Sequence, residues 1–203
     1  HLYEGLAAYD PKDATPLPAA AERWDVSPDG LTWTFPLREA RWSNGDPVTA
    51  GDFVYAWRRV LDPAVRSTYG HRLFLIRNAR EIAAGRADPA TLGVRAEGDR
   101  KLVVDLVHPA PYFPQLLCLN LFYPLHRASV EKLGRDAFKP GSLVGNGPYR
   151  MTEWRVNDRK IFEKNPAWRA AADVKIGRFI FLSIPDAATA LRAYEAGQIH
   201  WLF

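Results

Sequence analysis

Apolar residues alternate along Leu31-Thr32-Trp33-Thr34-Phe35-Pro36-Leu37, which puts Leu31, Trp33, Phe35 and Leu37 on one face of a strand. The Ser27-Pro28-Asp29-Gly30 turn in front of it predicts a hairpin. Pro36 has no N–H for a ladder, so this strand should lie at an edge or be locally broken. A helical period follows. Phe53, Trp57 and Leu61 recur every four residues with Val54 and Val60 beside them, behind Thr49 and Asp52 in capping-box spacing, and Asp62-Pro63 stops the run. A second helix is expected from about Leu73 to Ala84 with Gly85 as its cap. Strands are expected near Leu92–Ala96 and Leu102–Val107, joined through Gly98 and Asp99. Tyr112–Leu121 reads as a buried helix, and Ala128–Leu133 as a short one ending at Gly134. Residues 10–20, rich in Pro, Asp and Ala, read as an irregular connection.

The last third repeats the alternation. Tyr149–Val156 and Lys160–Glu163 form a predicted hairpin closed by Asn157-Asp158, and Lys175–Ser183 is a further strand. Pro185-Asp186 opens a helix with the apolar stripe Ala187, Leu191 and Tyr194, ending at Gly197. Helices and strands mix without a regular βαβ beat, which defines the class as α+β.

Composition supports folding without fixing a function. Of 203 residues, 47% are hydrophobic and 25% charged, and the seven tryptophans are spread from Trp24 to Trp201. The net charge of +4 comes from interleaved acids and bases with no polybasic block, which argues against nucleic acid or an anionic membrane surface. No apolar stretch approaches the roughly 20 residues that span a bilayer. The single cysteine, Cys118, sits in an apolar run and reads as a small inert hydrophobe. The chain opens at His1 and closes on Trp201-Leu202-Phe203, and both ends read as cut from something longer.

Reactive chemistry is hard to assemble from this sequence. The five histidines (His1, His71, His108, His126 and His200) are scattered with no HExxH pair, there is no GxSxG elbow, and Gly145-Asn146-Gly147 lacks phosphate-loop spacing. That short glycine stretch is expected to be a tight turn leading into the strand at Tyr149. Asp46, Asp52 and Asp62 could be imagined as an acid/base pair, but Asp52 as a helix cap and Asp62 as a helix stop account for two of them. Trp24, Trp33, Trp42 and Trp57 fall on core faces. No catalytic residue, metal ligand or cofactor is assigned.

Two long stretches carry a resemblance. AERWDVSPDGLTWTFPLREARWSNGDPVTAGDFVYAWRRVLDP, from Ala21 to Pro63, is similar to the signature region of the family 5 extracellular solute-binding proteins. That family includes oligopeptide-, dipeptide-, murein-peptide- and nickel-binding members. GNGPYRMTEWRVNDRKIFEKNPAW, from Gly145 to Trp168, resembles a later segment in the right order. LYEGL, LGVRAEGDRKLVVDL, PAPYFPQLL and the terminal AGQI fit as well, so the resemblance covers essentially the whole chain, closest to the oligopeptide binders of ABC importers.

The resemblance implies a partial clamshell of periplasmic-binding-protein type. Residues 5–126 would be a small extra domain of the N-terminal lobe, and residues 127–203 with 1–4 the first part of that lobe, the second lobe being missing. It implies an extracytoplasmic or periplasmic setting, a peptide ligand, and permease subunits of an ABC importer as partners. Tyr69, in Ser67-Thr68-Tyr69, matches a ligand-reaching tyrosine of the extra domain, although Thr68 stands where close members carry proline. Alone, the truncated chain should bind peptide weakly and self-associate through its uncovered surface. The alternatives left open are another cargo (dipeptide, nickel, haem or sugar), a glycan-handling enzyme, and an interaction module.

Overall fold

The computed structural model describes residues 1–202. Its largest core is built between Leu6 and Phe122. A short hairpin comes first, β1 (Ala7–Tyr9) with β2 (Pro16–Pro18). The expectation of an irregular connection over 10–20 is corrected here: Asp10 and Thr15 close the hairpin, since the Asp10 N–H donates to the Thr15 carbonyl at 2.8 Å. A four-stranded antiparallel sheet follows in the order β3-β4-β6-β5, with β3 at Asp25–Val26, β4 at Thr32–Pro36, β5 at Val94–Ala96 and β6 at Lys101–Asp105.

The alternation in β4 acts as predicted. Trp33, Phe35 and Leu37 are buried, and Phe113 packs edge-on against both rings at 5.5 and 6.2 Å. Although β4 is an inner strand, Pro36 is tolerated because β3 ends before reaching it. Its carbonyl accepts instead from Glu22 at 2.8 Å, in the irregular stretch between Ala21 and Asp25. The strand is neither at an edge nor broken: it runs continuously along β6, and the interruption lies in its partner on the β3 side.

Helix α1 (Ala50–Leu61) lays Phe53, Trp57 and Leu61 on this sheet, all fully or nearly fully buried. Each such side chain contributes about 1.5–3 kcal/mol through apolar burial. At its start the Asp52 carboxylate accepts from the Thr49 N–H at 2.8 Å and hydroxyl at 3.1 Å. Within the core the Trp57 indole N–H is satisfied by the Phe122 carbonyl at 2.9 Å.

The helix expected over 73–84 is much shorter. A 3₁₀ turn spans Gly70–Leu73, and α2 is only Ala79–Ala83. Between them the chain extends along β6: Ile76 bridges Leu106, Arg77 donates to the Asp105 carbonyl at 2.9 Å, and Asn78 turns at φ 65°. Long-range sheet pairing wins over local helix propensity there. The expected helix at 112–121 likewise resolves into α3 (Phe113–Leu117) and a 3₁₀ turn at Asn120–Phe122. Helix α4 (Arg127–Leu133) ends at Gly134 as predicted.

A three-stranded antiparallel sheet follows, in the order β7-β8-β9, with β7 at Tyr149–Arg155, β8 at Arg159–Lys164 and β9 at Arg178–Leu182. Asn157 takes the left-handed conformation (φ 60°) at the β7–β8 turn. Met151, Ile161 and Phe162 are buried, and Phe162 stacks on Phe179 with centroids 4.7 Å apart. Helix α5 (Ala187–Glu195) is capped by Asp186, which accepts from the Thr189 N–H at 2.6 Å. Its predicted apolar stripe buries nothing among the described residues: Leu191 and Tyr194 are each 48% exposed.

The Gly145-Asn146-Gly147 stretch is not the tight turn expected of it. Neither glycine has a positive φ; the segment lies beside residues 1–4 and bends at 147–148. Gly147 donates to the Leu2 carbonyl at 3.0 Å and Tyr149 to the His1 carbonyl at 3.1 Å. The buried Asn146 side chain accepts from the Glu4 N–H at 2.9 Å and donates to the Glu4 carbonyl at 3.0 Å, acting as a strand partner. Glycine is required because of close approach. A Cβ on Gly145 would overlap the Leu2 carbonyl oxygen, and one on Gly147 would lie 2.6 Å from the His1 oxygen. Buried Asn165 closes the far side by donating to the Gly147 carbonyl at 2.9 Å, and Arg169 grips Glu4 through two bonds of 3.0 and 2.7 Å.

Candidate functional site

Tyr69 lies on the loop that leaves α1. Asp62 caps that helix, and its carboxylate also accepts from the Ala64 N–H at 2.9 Å, while Arg66 turns at φ 52°. Buried Leu61 and Leu73 fasten the two ends of the loop. Tyr69 immediately precedes the Gly70–Leu73 turn and is 59% exposed. Its ring lies under the Arg72 guanidinium, 5.6 Å from carbon to centroid, a cation–π contact. This arrangement can present an aromatic face and a phenol to a ligand. It holds no reactive group.

Beside it, between the Gly70–Asn78 segment and the Val107–Leu116 segment, is a cleft of about 590 Å³ lined by Arg72, Phe74, Arg80, Val107 and Tyr112 among others. Sequence reasoning missed this concavity, since two segments some thirty residues apart make it and neither has a distinctive pattern.

A second unforeseen constellation centres on buried His126. Its Nε2 lies 2.9 Å from an Asp46 carboxylate oxygen and its Nδ1 2.6 Å from the Ser129 hydroxyl, with the ring edge-on to Trp42 at 5.4 Å. The residue types are those of a nucleophile triad, but both ring nitrogens have structural duties. Nδ1 also accepts from the Ser129 N–H at 3.3 Å as the N-cap of α4, and Nε2 ties that helix to the Asn44–Asp46 turn. His126-x-x-Ser129 is cap spacing visible in the sequence; Asp46, eighty residues earlier, gave no signal.

The other candidate groups are also scaffold. Asp52 accepts from the Trp42 indole at 3.3 Å as well as from Thr49, and burial pushes its carboxyl above the usual carboxylate range. Burial pushes the Cys118 thiol up to about 11, so at neutral pH it is a protonated, unreactive group. Among the described residues no cluster of three or more His, Cys, Asp or Glu side chains is suited to a metal, and no helix is long and apolar enough to cross a membrane.

The described residues form an α+β assembly in which Asp52, Cys118 and His126 serve the scaffold. Comparison makes this specific: the chain belongs to the bacterial extracellular solute-binding proteins, family 5, whose middle-region model matches residues 15–203. It is 40% identical over 201 residues to the periplasmic oligopeptide-binding protein OppA of Haemophilus influenzae, covering 98% of this chain and 37% of that protein. The crystal structure of Haemophilus influenzae OppA in complex with the peptide RPPGFSPFR superposes with a TM-score of 0.93 at 41% identity, over 98% of this chain and 39% of that one. Listeria monocytogenes OppA bound to peptide gives 0.94 at 35% identity, over 98% and 40%. The chain thus forms part of the clamshell fold of these proteins and spans about 37% of the length of the relative from Haemophilus influenzae.

Proposed function

We propose that the protein is the substrate-binding component of an ABC importer that takes up oligopeptides and delivers them to permease subunits outside the cytoplasm. The supporting observation is likeness over 98% of the chain, at 41% identity and a TM-score of 0.93, to a protein crystallised with a nonapeptide. Its activity is binding, not bond-making, a reading supported by the likeness to solute-binding proteins over the whole chain. Residues 5–126 act as the extra small domain and residues 127–203, with 1–4, as the first part of the N-terminal lobe. This division agrees with a core drawn from Leu6 to Phe122 and with the pairing of residues 1–4 beside Gly147 and Tyr149. In the full-length protein Tyr69 reaches the peptide from the small domain, and closure is driven by contacts made only when both lobes engage the ligand.

Calorimetry with tri- to pentapeptides tests this. The full-length protein should bind at micromolar or tighter affinity, and Tyr69→Ala should weaken binding about tenfold. The 203-residue chain alone should bind weakly, and submicromolar affinity in it would contradict the two-lobe mechanism. Absence of peptide binding by the full-length protein would overturn the function itself. The isolated chain also pairs with a second copy through β9 and α5, whose Ile180, Leu182, Leu191 and Tyr194 are 47–49% exposed.

A further inference from the structure

Two arginines rim the cleft beside Tyr69, and the Glu81 carboxylate, itself held by Arg86, acts on Arg80 at longer range. Each carboxylate near it is already engaged. Asp105 is held by Arg77 and Arg95, both at 2.9 Å, and Glu81 is clasped by Arg86 through bonds of 2.8 and 3.1 Å. Arg72 and Arg80, in contrast, make no ion pair among the described residues. Each guanidinium instead lies over a ring, Arg72 over Tyr69 at 5.6 Å and Arg80 over Phe74 at 5.1 Å. Stacking covers the face of a guanidinium and leaves its N–H edge available, which is the edge that grips a carboxylate in two parallel bonds.

The cleft lining is mixed, with His71, Asn78, Glu81 and His108 on it beside exposed apolar side chains. Val107 is 54% and Tyr112 51% exposed, beside Phe74 and Leu116. Lone exposed apolar side chains need no explanation, but several converging in one concavity do. At about 590 Å³ the cleft has the size of a small-molecule site. We infer that it binds a small amphiphilic carboxylate, with the anionic head on Arg72 and Arg80 and the apolar body against Phe74, Val107 and Tyr112. This site adjoins the peptide contact proposed for Tyr69 through Arg72 but does not depend on that contact.

Decanoate below its micellar concentration is a suitable probe, followed by amide chemical shifts in the protein. Saturable shifts should map to residues 71–80 and 107–116, and added salt should weaken them. Arg72→Gln and Arg80→Gln, both at exposed positions that should leave the fold intact, should each reduce affinity ~10-fold. Decanol and inorganic phosphate, each with half of the required chemistry, should bind at least ~10-fold more weakly than decanoate. Saturating trialanine should not displace decanoate. The inference is overturned if the shifts map to β9 and α5, if both variants bind as the parent does, if decanol or phosphate matches decanoate, or if trialanine displaces it.

Discussion

The stretch from Leu6 to Phe122 and the stretch from Tyr149 to Ile199 have similar apolar patterns and very different fates. In the first, the predicted inward positions Trp33, Phe35, Phe53, Trp57 and Leu61 are buried, and the Trp57 indole N–H is satisfied while that of Trp33 has no partner among the described residues. In the second, β9 and α5 carry equally regular stripes, yet Ile180, Leu182, Leu191 and Tyr194 stay about half exposed. Periodicity therefore reports which face an element offers, not whether that face has been covered. An amphipathic element with an open apolar face is half of an interface.

That contrast predicts a steep gradient in mutational cost. Trp57→Ala should destabilise the protein by about 3–5 kcal/mol through cavity formation and loss of the bond to Phe122, whereas Leu191→Ala should stay within about 0.5 kcal/mol. Urea unfolding followed by circular dichroism measures both, and equal losses would erase the distinction between the two stretches.

The Gly145–Gly147 seam should rank next. Gly147→Ala forces its Cβ against the backbone of residues 1–3 and should cost about 1–3 kcal/mol, with faster hydrogen exchange at Gly147 and Tyr149. Gly177→Ala has nothing within 4 Å and no positive φ, so it is the matched control. If the control costs as much as Gly147→Ala, close approach is the wrong explanation for glycine at the seam.

A gentler test concerns the open face. Charging it with Ile180→Lys and Leu191→Lys should raise the monomer fraction of the isolated chain several-fold in sedimentation velocity, by the same logic that protects natural edge strands. An unchanged distribution would mean that the exposed stripe is not what holds copies together.

The smallest effect is with pH. Burial pushes Cys118 from 9.0 to about 11 and Tyr3 from 10.0 to about 12. Both groups lose their protons first in the unfolded chain, so their contribution to stability is constant below about pH 9 and declines through the alkaline window up to about 12. Cys118→Ala should flatten the part of that decline between pH 9 and 11. An unaltered slope would show that the thiol does not contribute.

What was legible in the sequence follows from how far apart the determining residues lie. Helix α1 could be read in full because Thr49, Asp52, its apolar stripe and Asp62-Pro63 are all local. The Asn157 turn was legible for the same reason. The 73–84 region was misread because Ile76 answers to Leu106, thirty residues on, and the glycines at 145 and 147 because their crowding partners are at the other end of the chain. The Asp46–His126 tie and the arginine-rimmed cleft are equally non-local. Tyr69 is proposed as a contact through family resemblance alone; nothing in its own neighbourhood marks it as one.

The pairing of residues 1–4 with the segment around Gly147 also bears on the order in which the molecule assembles. A chain that must bring Leu2 to Gly147 closes a loop of more than 140 residues, and such closure has an entropic cost that rises with the logarithm of loop length. If the intervening stretch has already condensed around Trp57, its two exits stand side by side and the effective loop is short. Residues 1–4 would wait for that condensation before finding their partner, making the seam one of the last contacts to form and one of the slower ones.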